Sequence, residues 1–387
     1  MDATGRHSHR RTDESTTETG VSRRRLLGAS SAIGASALAG CTGGEVLGGA
    51  LAGFDDQAFI VGYQPFYTES WSALVIRHAG LAEKYLPEEY SVASWEVALQ
   101  GAVVGNKMIS EQNDIGYTGD MPTITAMAND ETAIDMVAIA GFSAGQQCNL
   151  CFVPEGVDIE DAQDLDGREI GVTTGACTHR FLLEAVQDEG ISPDFSDQGM
   201  QTIVTNIREG NIPAGAGWEP SPSRSVIQEG AAEYLFTGAD YDAYDAAGLL
   251  MLDSLVENHP EAARGWLKAE LEAKHIMATD PERTIDLIQQ EGQLRDYERE
   301  TLHATLYENI DVNPDVERML FYTDYEAVDE AERLMKEEAP AFLAENQGVI
   351  DGVPPDDRYR TEPLQAAIDE LEDDDEADWE PLRGAER

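Results

Sequence analysis

From Phe59 onward, short runs of β-branched and aromatic residues alternate with longer stretches whose apolar positions recur every three to four residues. The short runs fit strands buried between layers and the long ones amphipathic helices, so the pattern predicts an α/β chain with mostly parallel strands. Phe59 to Gly62 reads as a strand, Thr68 to Leu86 as a helix closed by Pro87, and Ser91 to Val97 as a second strand. A helix over Gly101 to Ser110, a strand over Asp114 to Tyr117, a helix opening near Met121 and Pro122, and a strand over Met136 to Ala140 follow.

The rhythm then restarts. Gln147 to Val153 is an apolar strand, Leu165-Asp166-Gly167 a turn, and Glu169 to Val172 a strand feeding a helix over Thr178 to Asp188. A chain of 387 residues exceeds what one core usually organises, so the restart marks a second lobe. The expected division is lobe 1 over residues 56–145 and 248–355, and lobe 2 over residues 146–247. After Gly248 to Met251 the pattern turns almost wholly helical through Asn258 to Gln347, and these helices are expected to return to lobe 1. Residues 356–387 hold one amphipathic helix and the acidic run Glu372 to Glu376, read as a solvated tail.

The first 55 residues do not fit this scheme. Ser22-Arg23-Arg24-Arg25-Leu26-Leu27-Gly28 precedes a Gly-, Ala- and Ser-rich run ending in Leu38-Ala39-Gly40-Cys41. This resembles a twin-arginine export signal (residues 1–40) with a lipobox. The apolar stretch is shorter than the about 20 residues a spanning helix needs. The expectation is cleavage before Cys41, lipid attachment there, a flexible tether over residues 41–55, and an exported protein anchored to the outer face of the cytoplasmic membrane.

A net charge of −49 argues against nucleic acid as a partner. Acidic residues are spread along the whole chain and only Lys84, Lys107, Lys268, Lys274 and Lys336 occur, a pattern resembling proteins of extreme halophiles. In molar salt the Debye length falls to about 3 Å, so the charge does not select the ligand.

Phosphate-loop and His-Glu-x-x-His motifs are absent. Candidate chemistry therefore concentrates at strand-to-helix junctions, where ligands bind in open α/β sheets. The first runs from Tyr63 through Gln64 and Tyr67 to Trp71, with Phe66 and Trp71 equally readable as core. The second, Tyr117 to Pro122, contains Gly119 and Asp120, the latter a helix cap or a ligand contact. The third, Thr173 to Arg180, offers Thr174, Cys177, Thr178 and His179 at a helix start, with Arg180 adding charge. Trp218-Glu219-Pro220 is the fourth.

Cys148, Cys151 and Cys177 with His179 leave three readings open: inert buried thiols, a disulfide from Cys177 to one of the other two, or a zinc or copper set. On a regular strand Cys148 and Cys151 face opposite ways at roughly 10 Å, which disfavours a bond between them.

Taken in order, Gly62 to Trp71, Val97 to Gln100, Asn113 to Gly116, Gly119 to Pro122, Asp164 to Arg168, Thr173 to Gly175, Trp218 to Pro220 and His259 to Glu261 are similar to the nitrate/sulfonate/taurine-type solute-binding proteins of ABC importers, which include relatives for pyrimidine precursors. The resemblance implies a periplasmic-binding-protein-like fold, two lobes joined by hinge segments, with a small oxyanion or zwitterion held between them. It also implies a monomer without cofactor or catalysis, partnered by a permease and its ATPase. The chain departs from the family at Ala214-Gly215-Ala216, where an Asp-Ala pair is frequent, and in its cysteine trio. The competing expectation is a metal-dependent, pyrimidine-synthase-like enzyme, or a metal-binding protein, using Cys148, Cys151, Cys177 and His179.

Overall fold

Apolar strand runs and amphipathic helices sort into two five-stranded sheets in the computed structural model, which describes residues 57–347, 350, 352–373 and 379–382. The signal, Cys41 and the tether expected at the amino terminus lie outside the described residues, as does Asp374 to Glu376 of the acidic run.

The first sheet has the order β2-β1-β3-β10-β4, from Ala58–Tyr63 (β1), Ser91–Val97 (β2), Ile115–Gly119 (β3), Ile134–Ser143 (β4) and Asp245–Leu252 (β10). The second has the order β7-β6-β8-β5-β9, from Leu150–Pro154 (β5), Glu169–Val172 (β6), Asp194–Asp197 (β7), Ala214–Gly217 (β8) and Ala232–Thr237 (β9). β1 pairs parallel with β2 and β3, and β6 parallel with β7 and β8. β10 runs antiparallel to both its neighbours, as does β5. Each sheet therefore carries one reversed strand, and both reversed strands are the ones by which the chain enters its new sheet. A strand that continues straight across from the other sheet arrives pointing against the strands already there.

Every residue of β4 and of β10 is buried, as the apolar stretches Met136 to Phe142 and Ala246 to Leu252 require. β4 ends the first sheet, yet its edge is covered: Leu320 donates its amide to the Phe142 carbonyl, and Ile139 donates to Thr323, both at 2.9 Å. That covers an edge otherwise open to foreign strands. The covering stretch belongs to residues 308–328, where a helix was expected and irregular backbone is found instead. Asn313, Pro314, Asp311 and Asp315 interrupt the helical period there.

Helices fill the outer layers: α1 (Trp71–Ala79), α2 (Gly101–Ile109), α3 (Asp120–Met127), α4 (Cys177–Glu189), α5 (Met200–Arg208), α6 (Pro260–Thr279) and α7 (Glu362–Glu372). The single helix expected over Thr68 to Leu86 is broken at Gly80, which takes φ 69° and caps α1. Only glycine adopts that left-handed geometry at little cost. α6 packs on α1 and α7 packs on α6, and Trp71 and Trp266 are fully buried between these layers. One apolar core joins the first sheet to the α5 side of the second, and a smaller one around Cys151, Val172 and Phe181 fills the other side.

Candidate functional site

Parallel strands bring their carboxyl ends to one side of a sheet, so the loops after β1, β3, β6 and β8 fall along the junction between the two sheets. They touch there. Trp218 Nε1 donates to the Phe66 carbonyl at 2.9 Å, and the Thr68 amide donates to the Glu219 carbonyl at 3.3 Å. Arg180 Nη2 lies 3.5 Å from Asp120 Oδ2, with both side chains buried. The first junction is thus bound across the cleft to the fourth, and the second to the third. The first three also converge at Gly119. A Cβ placed there would sit 2.9 Å from Tyr67 Oη and 3.9 Å from Cys177 Sγ.

The loop after β1 is held by its own side chains. Ser70 Oγ donates to the carbonyls of Gln64 and Tyr67 at 2.8 and 2.9 Å, and Trp71 Nε1 donates to Pro65 at 2.8 Å. Gln64 Nε2 reaches the Tyr117 carbonyl at 3.4 Å. Trp71 therefore clamps the loop from the core side, whereas Tyr67 turns inward and donates its phenol to Glu69 Oε2 at 2.5 Å. Burial raises the Tyr67 phenol well above its ordinary pKa, and the Glu69 charge adds to this.

Asp120 is the first residue of α3, where its Oδ1 accepts from the Met121 amide at 2.6 Å and its Oδ2 faces Arg180. Burial pushes its carboxyl up to about 6 against the opposing pull of Arg180. Arg180 also donates to Glu184 and to the Tyr244 carbonyl.

At the third junction, Cys148 and Cys177 form a disulfide with Cα atoms 6.4 Å apart, tying the segment before β5 to the start of α4. Thr178 Oγ1 fixes the same seam by donating to the Cys148 carbonyl at 2.7 Å. Cys151, on β5, is a buried free thiol in the smaller core. His179 packs edge-on against Phe195, and burial lowers its pKa. The four residues of the metal reading are therefore not brought together: two sulfurs are consumed in the disulfide and Cys151 lies in a different core. Among the described residues no group of three or more His, Cys, Asp and Glu converges for a metal ion. Thr174 is exposed, on the rim of a groove of about 290 Å³ that it shares with α2, α3 and Leu343.

Glu219 has a different setting from its neighbour Trp218. Its carboxylate accepts from the Ser223 amide and hydroxyl at 3.0 Å and from Tyr234 at 2.5 Å, and is paired with the buried Arg318. All its acceptor capacity is spent inside the protein.

Three contributors carry no local sequence signal. Asp245 opens β10, and its Oδ2 accepts from the successive amides of Gln147, Cys148 and Asn149 at 3.2, 2.7 and 3.1 Å, while Oδ1 accepts from Ser143 Oγ. One carboxylate thus gathers both crossing segments of the hinge. Gln147 accepts from Thr68 Oγ1 at 2.5 Å and donates to the carbonyls of Thr305 and Arg318. Glu69 is fully buried, and burial followed by the neighbouring Asp245 raises its carboxyl well above the usual range. In the sequence Glu69 reads only as an acid near a helix start.

Residues 101–284 match the family model described as NMT1/THI5 like. No curated protein sequence matches the chain. Among solved structures, the periplasmic aliphatic sulphonate binding protein SsuA from Escherichia coli is similar at 21% identity and TM-score 0.64, over 78% of this chain and 97% of that one. The periplasmic nitrate-binding protein NrtA from Synechocystis PCC 6803 is similar at 15% identity and TM-score 0.59, over 82% and 89%. The desulfurization enzyme DSZB shares the fold at 13% identity and TM-score 0.59, over 81% and 99%. Two mixed α/β sheets meeting at a hinge, with a match to the NMT1/THI5-like model over residues 101–284, give this chain the fold of the periplasmic sulphonate- and nitrate-binding proteins.

Proposed function

We propose that this protein is the extracellular solute-binding lipoprotein of an ABC importer, holding a small oxyanion or zwitterion of the sulfonate, taurine or nitrate class between its lobes. The observation that carries the reading is the closure of the cleft by junction residues from both sheets, Trp218 on Phe66 and Arg180 on Asp120. A solute that touches both lobes favours the closed state through its differential affinity for it. Gln64, Tyr67, Trp71, Gly119, Asp120, Thr174, Cys177, Thr178, His179, Trp218 and Glu219 are the proposed ligand-binding set. Within it Tyr67, Gly119, Asp120 and Cys177 have the strongest support from geometry, while Trp71 and Glu219 act by holding the loops in place.

On this reading the twin-arginine signal delivers the chain outside, Cys41 bears the lipid, and the closed form is presented to a permease with its ATPase. The acidic, lysine-poor surface suits a halophilic setting. The metal-dependent alternative loses support because two of the ligands it calls on, Cys148 and Cys177, are joined in a disulfide.

Melting of the mature chain in molar KCl against nitrate, alkanesulfonates, taurine and small pyrimidines tests the function. A solute present at a hundredfold its Kd should stabilise the protein by about 2.7 kcal/mol. No shift with any of them removes the support for solute capture. A Cys41→Ala variant should leave the membrane fraction for the medium.

A further inference from the structure

The helices that follow α6 do not stay with the first sheet. The helix Pro281–Ile288 packs on α1, and the helix Arg299–Tyr307 packs on Pro281–Ile288 yet also meets residues 221–228, which follow β8 of the second sheet. In the loop between these helices Glu291, Leu294 and Tyr297 are buried, while residues 292, 293, 295, 296 and 298 are exposed. A spacing of three fits the tight turn Gly292–Leu294 and faces one side of the loop inward. Glu291 is the root of the loop. Its carboxylate accepts from Tyr63 Oη at 3.0 Å and from Arg77 Nη1 at 3.1 Å, donors carried by β1 and α1.

The far end of the loop grips the other side of the cleft. Tyr297, 5% exposed, places its ring 6.3 Å from that of Phe66, with the Arg224 guanidinium 5.1 Å from its centre. Phe66 is the residue whose carbonyl takes the Trp218 indole. Further out, Gln228 Nε2 donates to the Asp296 carbonyl at 2.9 Å, and Gln228 Oε1 accepts the Glu298 amide at 3.0 Å. A single side chain thus engages the backbone on both flanks of Tyr297. The Arg318–Glu219 pair also reaches across, but it is buried and abuts Gln147 of the hinge. The Gln228 bonds lie at the surface, where water replaces them as they break.

We infer that residues 291–298 are a clasp on the closed cleft, with Glu291 as its root, Tyr297 positioning Phe66 from outside, and Gln228 as the catch whose release precedes opening. The two hydrogen bonds at the catch bias the lobes towards closure, and their loss shifts the balance towards the open state by about tenfold. On the solute-binding reading, solute enters and leaves through that released state. The clasp itself stands on the contacts of the chain alone.

Hydrogen–deuterium exchange of the solute-free mature chain in molar KCl, wild type against Gln228→Ala, tests this. The reporter is the Thr68 amide, which is bonded across the cleft to the Glu219 carbonyl, so that its exchange counts openings of the cleft. The expected result is exchange at Thr68 about tenfold faster in the variant, with α6 unchanged. Wild-type exchange at Thr68, with only residues 296–298 loosened, makes the loop a local brace and overturns the inference. Acceleration that runs equally through α6 reports global loosening and overturns it too. Should Gln228→Ala fail to fold, Gln228→Met keeps the length of the side chain without its amide and gives the same comparison. With no solute present, none of these outcomes bears on solute capture, which melting against the solutes tests separately.

Discussion

Asp114 shows at single-residue scale how strongly this interior acts on a carboxyl. It is 6% exposed, and its Oδ2 accepts the Ile60 amide at 2.7 Å across two strands. Burial pushes its pKa up to about 6, with the backbone hydrogen bond pulling the other way. The folded value lies above the unfolded one of about 4, so between those pH values the folded protein holds more protons than the unfolded chain. Stability therefore falls as pH rises through that window. In denaturant titrations at pH 4 and pH 7, wild type should lose up to about 3 kcal/mol relative to Asp114→Asn on going to the higher pH. A difference between the two proteins that is the same at both pH values would rule this out. Residue identity was a poorer guide to role than to place: Trp71 and Glu219 were legible as junction residues, but only their partners, the Pro65 carbonyl and the Arg318 guanidinium, show that they brace loops.

At the scale of elements, the disulfide and the hinge belong together. Cys148 lies in the crossing segment held by Asp245, and Cys177 begins α4, so the bond ties the start of α4 to the hinge rather than stapling one sheet. A closed loop with a sequence separation of 29 residues removes unfolded-chain entropy worth about 3.6 kcal/mol. Cys177→Ser, or reduction, should lower stability by about that amount. A thiol count in denaturant on a chain beginning after Cys41 should find one free thiol, Cys151. Finding three would leave the bond unformed. β8 shows why some elements escaped the sequence pattern. Its Ala214-Gly215-Ala216-Gly217 has no strand propensity, because α5 packs so closely that a Cβ on Gly215 would meet Ile203 at 2.5 Å. Close packing selected residues that hydrophobic periodicity cannot detect.

For the whole molecule, the net charge of −49 is the property on which dissolved salt acts most directly. Raising KCl from about 0.1 M to about 1 M shortens the Debye length from about 10 Å to about 3 Å, which screens mutual repulsion of surface carboxylates while leaving buried pairs such as Glu219–Arg318 nearly untouched. The melting temperature should rise across that range. A fall, or no change, would show that surface repulsion is not what limits stability. The interior answers to different rules, since its carboxyls and cations interact without intervening salt.

The sequence by itself determined the α/β alternation, the restart after Phe142, the position of the strand-to-helix junctions and the acidic surface. Each of these depends on residues close together in the chain, through periodicity, turn chemistry or summed charge. The tertiary structure decided the pairing of Cys148 with Cys177, the enclosure of Glu69, Asp120 and Asp245 by both lobes, and the burial of Glu219 against Arg318. Glu69 and Asp245 are 176 positions apart, and nothing in either neighbourhood marks them as partners. Their relation arises only when two sheets fold over the same small volume, where burial holds both carboxyls above their ordinary pKa values.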